Sequence, residues 1–204
     1  MASPKTDSPI FWIFGGPNGS GKSSAYADTS FQADGQTIWI VNPDLLTARI
    51  RSVEGLELGQ ANYQSVVRIE AWLDASIDTH KSVGVETVLS TDKYRRLVTK
   101  AKALGFEVRL TYVILNSPDL NVERVRLRVA KGGHDVPEDK IRERYVKSLR
   151  QLPWFFDEAD RVLLYDNSAA EPVKVLEKLG TRVNVYSQGL PVVLSVLGLD
   201  GPAK

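Results

Sequence analysis

Ile10–Ser24, with the sequence IFWIFGGPNGSGKSS, is the stretch that decides the fold. Its second half matches the pattern G-x-x-x-x-G-K-[ST] at every fixed position, and the apolar run before it predicts a buried strand. Residues 24–28 are expected to continue as a helix, so the glycine-rich loop lies at the positive end of that helix with its N–H groups turned inward. An ordinary glycine-rich turn would not require the lysine and serine in register. The stretch therefore predicts binding of a nucleoside triphosphate.

The residues of this loop are the candidate nucleotide-binding residues. Lys22 is expected to reach the β- and γ-phosphates, and the Ser23 hydroxyl is expected to ligate Mg²⁺. Backbone N–H groups along the loop would hold the phosphates. The full set is Gly16, Pro17, Asn18, Gly19, Ser20, Gly21, Lys22, Ser23 and Ser24.

Length and composition limit the classes of protein to which the chain can belong. It has 204 residues, a formal net charge of +1 and no cysteine. The near-neutral charge argues against a nucleic acid or an anionic membrane as partner. The absence of cysteine excludes disulfides and thiolate catalysis and fits a cytoplasmic protein, and no apolar run reaches the roughly 18 residues of a membrane span. We expect one domain over residues 10–198, between short flexible tails at 1–9 and 199–204.

Strands and helices alternate along the rest of the chain. Short apolar runs predict strands at 38–41, 83–90, 106–115 and 161–165. Helices are expected at 45–50, 60–81, from a cap at Thr91 or Asp92 to 104, at about 121–131, 137–152 and 171–179, before a β-rich tail at 182–197. This alternation requires crossover connections and predicts an α/β fold with a mainly parallel sheet sandwiched between helices.

Polar residues cluster where the predicted strands end, and ligands of parallel sheets bind beyond those ends. After the second strand, Asn42 is expected to cap a helix that Pro43 opens, with Asp44 in the first turn. Asp44 is a candidate for the carboxylate that accepts a hydroxyl proton during phosphoryl transfer. Its alternative role is only to stabilise the positive start of the helix.

Glu86 interrupts the apolar strand at 83–90 near its carboxyl end. Because a buried carboxylate requires a partner, Glu86 is expected to face a metal, a cationic side chain or a polar ligand, and it is a candidate for Mg²⁺-bound water or for a substrate hydroxyl. The alternative is an outward position on a half-exposed strand. The sequence has no strand ending in the aspartate of a typical Walker B motif, which leaves the metal role to Ser23 and Glu86. Ser90 lies at the carboxyl end of the same predicted strand and is a candidate substrate-binding residue.

A cationic stripe lies on the helix predicted around residues 121–131. Arg124, Arg128 and Lys131 share the face opposite to the valines, whereas Arg126 falls beside the apolar face. Arginine pairs two phosphate oxygens with its planar fork, so Arg124 and Arg128 are candidate catalytic residues on a mobile lid over the polyphosphate. The alternative is a solvated helix face. His134 is a candidate phosphate or substrate contact, although loop histidines more often cap or face solvent.

The chain resembles the zeta-toxin family of P-loop kinases from about Phe11 to Asn167. The loop alone is specific only for the superfamily, and the ordered combination of motifs indicates this branch. These motifs are Gly15 to Ser24, Asn42-Pro-Asp44, Glu86 to Ser90, Gly105-Phe106, Arg124 to Arg128, Gly132 to Pro137, Ile141, Arg144-Tyr145 and Tyr165-Asp-Asn167.

The resemblance implies a P-loop kinase-like core with a lid at about 119–150, ATP or GTP as donor and Mg²⁺ as cofactor. It makes Lys22 and Ser23 the phosphate and metal residues, and Asp44 the base. Glu86 becomes a substrate or metal-site residue and Arg124 a transition-state arginine. Better-studied members phosphorylate a UDP-linked amino sugar and are held inactive by a small antitoxin protein. A small-molecule acceptor and an antitoxin partner are therefore also implied.

Two departures from the family pattern bear on these expectations. The second phosphate-binding arginine of the longer toxins falls near Gly133-His134 here, which leaves Arg128, His134 or no residue for that contact. The segment Glu86-Thr-Val-Leu-Ser90 also differs from the Glu-Gly-Thr of the toxins. Membership would therefore not require the sugar substrate or toxicity. Two other functions stay open, a nucleotide-hydrolysing switch and a kinase acting on nucleic-acid ends.

Overall fold

The computed structural model describes residues 8–25, 30–33 and 36–200. Residues 1–7 and 201–204, which make up most of the two predicted tails, lie outside these ranges. Eight strands form one sheet in the order β2-β3-β4-β1-β5-β6-β7-β8. The strands are β1 (Ile10–Gly15), β2 (Ser30–Ala33), β3 (Gln36–Val41), β4 (Val83–Thr87), β5 (Glu107–Ile114), β6 (Arg161–Asp166), β7 (Val173–Leu179) and β8 (Arg182–Val185). The helices are α1 (Pro43–Glu54), α2 (Leu58–Asp78), α3 (Arg95–Ala103), α4 (Pro118–Ala130), α5 (Glu138–Glu158) and α6 (Pro191–Val196).

The buried strand β1 lies at the centre of the sheet. It pairs in parallel with β4 on one side and with β5 on the other, and β3 and β6 continue the parallel part. The register aligns Phe14 with Glu86, one residue before β1 ends at Gly15. The carboxyl end of β4 therefore brings Glu86 next to the glycine-rich loop. The expected α/β fold with a mainly parallel sheet is confirmed, and β2, β7 and β8 add antiparallel pairs at its edges.

Period-two alternation divides β1 between two apolar clusters. Phe11 and Ile13 join the large core against α2, α3, α5 and α6, whereas Trp12 and Phe14 face the other side of the sheet. The large core includes Leu73 of α2. A third cluster of Val122, Val125, Val136 and Ile141 joins α4 to α5.

Helix α1 begins as the sequence predicts. The side chain of Asn42 accepts hydrogen bonds from the backbone N–H groups of Asp44 and Leu45, and Pro43 is the first helical residue. The cap expected at Thr91 or Asp92 is wrong, because α3 begins at Arg95 and Asp92 contributes only its backbone carbonyl to the preceding turn.

The prediction for one other segment is also wrong: residues 171–179 were expected to be helical, but Val173–Leu179 form β7, antiparallel to β6. The small β-rich tail expected at 182–197 is present as Arg182–Val185, which pair with β7, and the segment then ends in α6. After the glycine-rich loop, Lys22–Ala25 form a 3₁₀ turn, which includes the first two residues of the helix predicted at 24–28, and residues 26–28 of that prediction lie outside the described ranges.

Candidate active site

The loop between β1 and the 3₁₀ turn, which we call the P-loop, depends on glycines with positive φ. Gly16 has a φ of 142°, and a Cβ there would lie 2.0 Å from the carbonyl oxygen of Val113. Gly21 has a φ of 90°, and a Cβ there would lie 2.2 Å from the amide nitrogen of Asn167. No side chain fits at either position, so the backbone itself is brought against β5 and against the loop after β6.

Three side chains from distant elements hold the P-loop from outside. Asn121 of α4 donates from Nδ2 to the carbonyl of Asn18 at 2.6 Å, and Arg144 of α5 reaches the Oδ1 of Asn18 at 3.3 Å. Asn167 donates to the carbonyl of Ser20 at 2.9 Å. The sequence placed Asn121 only at the start of a predicted helix, and it marked Arg144 and Asn167 only as shared motif residues. The signal that identifies them is spatial proximity, which the local sequence does not contain.

Lys22 is buried beneath the loop. Its Nζ donates to the carbonyl of Pro17 at 2.9 Å and lies 4.0 Å from Oε1 of Glu86. Burial lowers the pKa of Lys22, and the negative charges of Glu86 and Asp44 oppose that shift. The lysine thus pairs with Glu86 and feels the charge of Asp44, in a position to meet a phosphate that enters the loop.

Glu86 is buried, with 8% of its surface exposed, and it faces the P-loop. Its Oε2 accepts one hydrogen bond from Oγ of Ser23 and another from Nδ2 of Asn42, each at 2.9 Å. Ser23 and Glu86 therefore bring a hydroxyl and a carboxylate together at the end of β4. These are hard oxygen donors of the kind that Mg²⁺ accepts beside phosphates and water.

The side chains predicted for phosphate chemistry line one cavity of about 250 Å³. Asp44, exposed at the start of α1, and Arg124 and Arg128 of α4 all line this cavity. Val88 also contacts the cavity and was missed by sequence analysis. The remaining lining residues are Asn18, Gly19, Gly21, Lys22, Ser23 and Glu86.

The arginines of α4 differ in their surroundings. Arg128 donates from Nη2 to the carbonyl of His134 at 2.7 Å, so its guanidinium fixes the start of the next loop as well as lining the cavity. Arg126, which the sequence pattern sets apart from the cationic stripe, does not line the cavity; its side chain is 72% exposed and pairs with Glu138 at 2.6 Å. Arg124 is half-buried, and its guanidinium lies close to Gly21.

The other candidate residues do not line the phosphate cavity. His134 is exposed and meets Arg128 through its backbone carbonyl, and Ser90 lies half-buried beyond the cavity wall. Gly16, Pro17 and Ser20 contribute to the shape of the loop behind the cavity, and Ser24 continues the 3₁₀ turn.

A second cavity of about 610 Å³ adjoins the first, and Gly21 and Arg124 line both. Apolar and aromatic side chains of the sheet form much of its wall, including Trp12, Phe14 and Tyr165. The loop 169–172 and Asn167 close it at the rim. A flat apolar group attached to a polyphosphate would fit this pair of cavities in size and polarity.

The described part of the chain has neither a cluster of metal-ligating side chains nor a membrane-spanning helix. Within residues 8–25, 30–33 and 36–200, no three His, Asp or Glu residues come together as a metal cluster. In the same ranges, no helix has the length and apolar character needed to cross a membrane.

Comparisons with known proteins identify the family of the chain. The model of the zeta toxin family matches residues 1–173. An uncharacterized protein of Haemophilus influenzae is 30% identical over 130 residues, which are 64% of this chain and 88% of that protein.

Solved structures share the fold at low identity. A chain of the AvrRxo1-ORF1:AvrRxo1-ORF2 complex with sulphate ions superposes with a TM-score of 0.68 and 16% identity, over 97% of this chain and 66% of that one. The same complex with ATP gives a TM-score of 0.67. The PezAT toxin-antitoxin system of Streptococcus pneumoniae gives 0.58, with 17% identity over 97% of this chain and 80% of that one. Our chain thus spans just under two thirds of its AvrRxo1 counterpart. The fold is P-loop kinase-like, and the chain belongs to the zeta toxin family.

Proposed function

We propose that this protein is a kinase that transfers the γ-phosphoryl group of ATP or GTP to a hydroxyl of a small molecule. The observation that supports this most directly is the single cavity that Lys22, Asp44, Glu86 and Arg124 share. Phosphoryl transfer requires a cation that binds phosphate, a carboxylate base, a carboxylate at the metal site and a group that stabilises the negative charge of the transition state.

The donor phosphates would lie in the P-loop. Lys22 would exchange its contact with the Pro17 carbonyl for the β- and γ-phosphate oxygens. Ser23 and Glu86 would hold Mg²⁺, which supplies charge neutralisation on the phosphates when bound. The superposition with an ATP-containing AvrRxo1 complex supports ATP as a donor, and GTP is an alternative with the same phosphate chemistry.

The acceptor hydroxyl would approach from the side of α1. Asp44 is exposed there and its carboxylate takes the proton of the hydroxyl. The hydroxyl oxygen forms a bond to the γ-phosphorus while the bond from that phosphorus to the bridging oxygen breaks, and the nucleoside diphosphate leaves. Arg124 and Arg128, which line the same cavity, stabilise the negative charge that spreads over the transferring group.

The nucleoside of the donor would occupy the adjoining cavity of about 610 Å³. Its aromatic wall suits a purine ring, and the shared lining by Gly21 and Arg124 joins it to the phosphate cavity. Arg124 therefore lies at the boundary between the base and the phosphates.

The family suggests an acceptor class and a partner to test, although membership requires neither. A UDP-activated amino sugar is the first acceptor to test, with Glu86, Ser90 and His134 as candidate contacts. The PezAT relative is described as a toxin-antitoxin system, which supports an antitoxin-like protein as partner of this chain. We propose a single domain over residues 10–198, with residues 119–150 as its lid, acting in the cytoplasm.

Acceptor screening with γ-labelled ATP and Mg²⁺ tests the proposal. The expected result is a labelled product that appears only with a small hydroxyl-bearing compound and is lost in Lys22→Ala. Label released only as inorganic phosphate would instead indicate a nucleotide hydrolase. Label on an oligonucleotide end would indicate a nucleic-acid kinase. Either of these two results overturns the small-molecule assignment.

A further inference from the structure

The side chain of Asn42 joins two functional groups of the candidate site. Its Oδ1 accepts from the backbone N–H groups of Asp44 at 2.9 Å and Leu45 at 3.2 Å. Its Nδ2 donates to Oε2 of Glu86 at 2.9 Å. One amide group therefore contacts both the backbone of the candidate base and the candidate metal-site carboxylate.

These bonds fix the orientation of the Asn42 amide. The helix start offers N–H donors and needs an oxygen, whereas the carboxylate of Glu86 needs a donor. Rotating the amide by 180° would place nitrogen against N–H groups and oxygen against a carboxylate. A serine side chain could cap the helix without reaching Glu86, and an aspartate would cap it while repelling Glu86.

Helix α4 of the same chain shows which side chain is sufficient to cap a helix of this kind. Helix α4 begins with Ser117-Pro118-Asp119, the same cap, proline and aspartate order as at α1. There the hydroxyl of Ser117 accepts from the N–H of Asp119 at 3.1 Å. A hydroxyl is thus sufficient to start a helix of this kind, and the additional NH₂ of Asn42 has its use in the contact with Glu86.

We infer that Asn42 is a positioning residue that fixes Asp44 and Glu86 relative to each other, so that the base and the metal-site carboxylate keep one geometry. Oε2 of Glu86 also accepts from Ser23, so a single carboxylate oxygen connects the P-loop hydroxyl to the start of α1. This inference rests on the proposed function, because the relative position of Asp44 and Glu86 matters for catalysis only if Asp44 is the base and Glu86 belongs to the metal site.

Kinetics of Asn42→Ser test the inference, because serine keeps the helix cap and removes the donor to Glu86. We expect kcat to fall by about 10- to 100-fold, the scale of a misplaced reacting group, with little change in nucleotide affinity or Tm. Asn42→Asp keeps the cap and the side-chain size and should lose at least as much. Wild-type kcat in a folded Asn42→Ser protein would overturn the inference.

A double-mutant cycle separates positioning from capping. If Asn42 acts through Glu86, Asn42→Ser should add no further loss of kcat in a Glu86→Ala background. Independent, multiplying losses would mean that Asn42 acts only through α1, and would overturn the proposed link.

The link also has a readout that does not depend on activity. In NMR spectra, Glu86→Ala should shift the side-chain amide resonances of Asn42, whereas Glu57→Ala, a change of an exposed glutamate at the start of α2, should not. Unchanged Asn42 resonances in Glu86→Ala would overturn the link. If the wild type phosphorylates no acceptor, the proposed function fails, while these spectra still decide whether Asn42 holds Glu86.

Discussion

Asn167 donates a hydrogen bond from Nδ2 to the carbonyl of Ser20 at 2.9 Å, although the two residues lie 147 positions apart. The same nitrogen occupies the space next to Gly21, where a Cβ would lie only 2.2 Å away. The loop after β6 is therefore packed directly against the backbone that would hold the phosphates. This contact makes the P-loop sensitive to a single added methyl group.

Gly21→Ala should weaken nucleotide binding at least tenfold, about 1.4 kcal/mol. The alanine must adopt a φ of 90° and displace Asn167, so the loop shifts away from the phosphate geometry. Gly55→Ala is the matched control, since Gly55 also has a positive φ, of 68°, but has open space around it at the end of α1. It should lower stability by about 1 kcal/mol and leave affinity unchanged. Calorimetric titration and thermal unfolding measure both, and equal affinities for the two variants would contradict this account.

Asp44→Asn should reduce phosphoryl transfer by about 10²- to 10⁴-fold while nucleotide binding persists, because the amide cannot take the hydroxyl proton. Asp119→Asn changes an aspartate at the equivalent position of α4, where the side chain is 75% exposed and pairs with Arg142. It should retain near-wild-type turnover. Steady-state kinetics with the identified acceptor compare the two. Similar losses in both would reduce Asp44 to a carboxylate that stabilises the start of a helix.

Arg124→Ala should lower kcat by about 100-fold or more, since an arginine on the transferring group acts mainly in the transition state. Arg126→Ala, on the same helix, removes an exposed side chain paired with Glu138 and should change kcat little. Single-turnover rates and nucleotide titrations separate chemistry from binding. If both variants slowed transfer equally, the cationic face of α4 would have no specific role.

The ion pairs of Asp74 predict a pH-dependent contribution to stability. Hydrogen bonding to Arg96, assisted by Lys100, lowers the pKa of Asp74 to about 2 from 3.8. Because the folded-state pKa is the lower one, the stabilisation is present above pH 3.8 and is lost as the pH falls towards 2. The pair is largely exposed, so Asp74→Asn should cost about 1 kcal/mol or less near neutral pH. Denaturant unfolding of the wild type and the variant should show the difference shrinking in acid; a constant difference would assign it to another cause.

Local patterns predicted the parts of the structure that depend on local contacts. The apolar run of β1 and the cap of α1 each follow from neighbouring residues, and both occur where expected. The segment Val173–Leu179 was misassigned because its spacing of apolar and charged residues is compatible with either a helix or a strand. Pairing with β6 decided between them, and such pairing depends on residues far along the chain.

The candidate site shows the same division. Lys22, Ser23 and Asp44 could be identified because they belong to short motifs at the ends of strands. The roles of Asn121 and Asn167 could not, because each contacts the P-loop across more than a hundred residues of chain. The sequence pattern set Arg126 apart from Arg124 and Arg128, but the ion pair of Arg126 with Glu138 joins two helices and could not be read from the pattern.

The hydrogen bond from Asn121 to the carbonyl of Asn18 ties the first turn of α4 to the P-loop. Arg124, one turn further along α4, is then already ordered when the protein folds. The conformational entropy of ordering it would therefore not oppose nucleotide binding. Segmental motion during turnover would begin beyond this tether, towards the turn at Gly132, where φ is 83°. In the proposed kinase, the first turn of α4 would therefore act as part of the scaffold, and only the far end of the helix would respond to substrate.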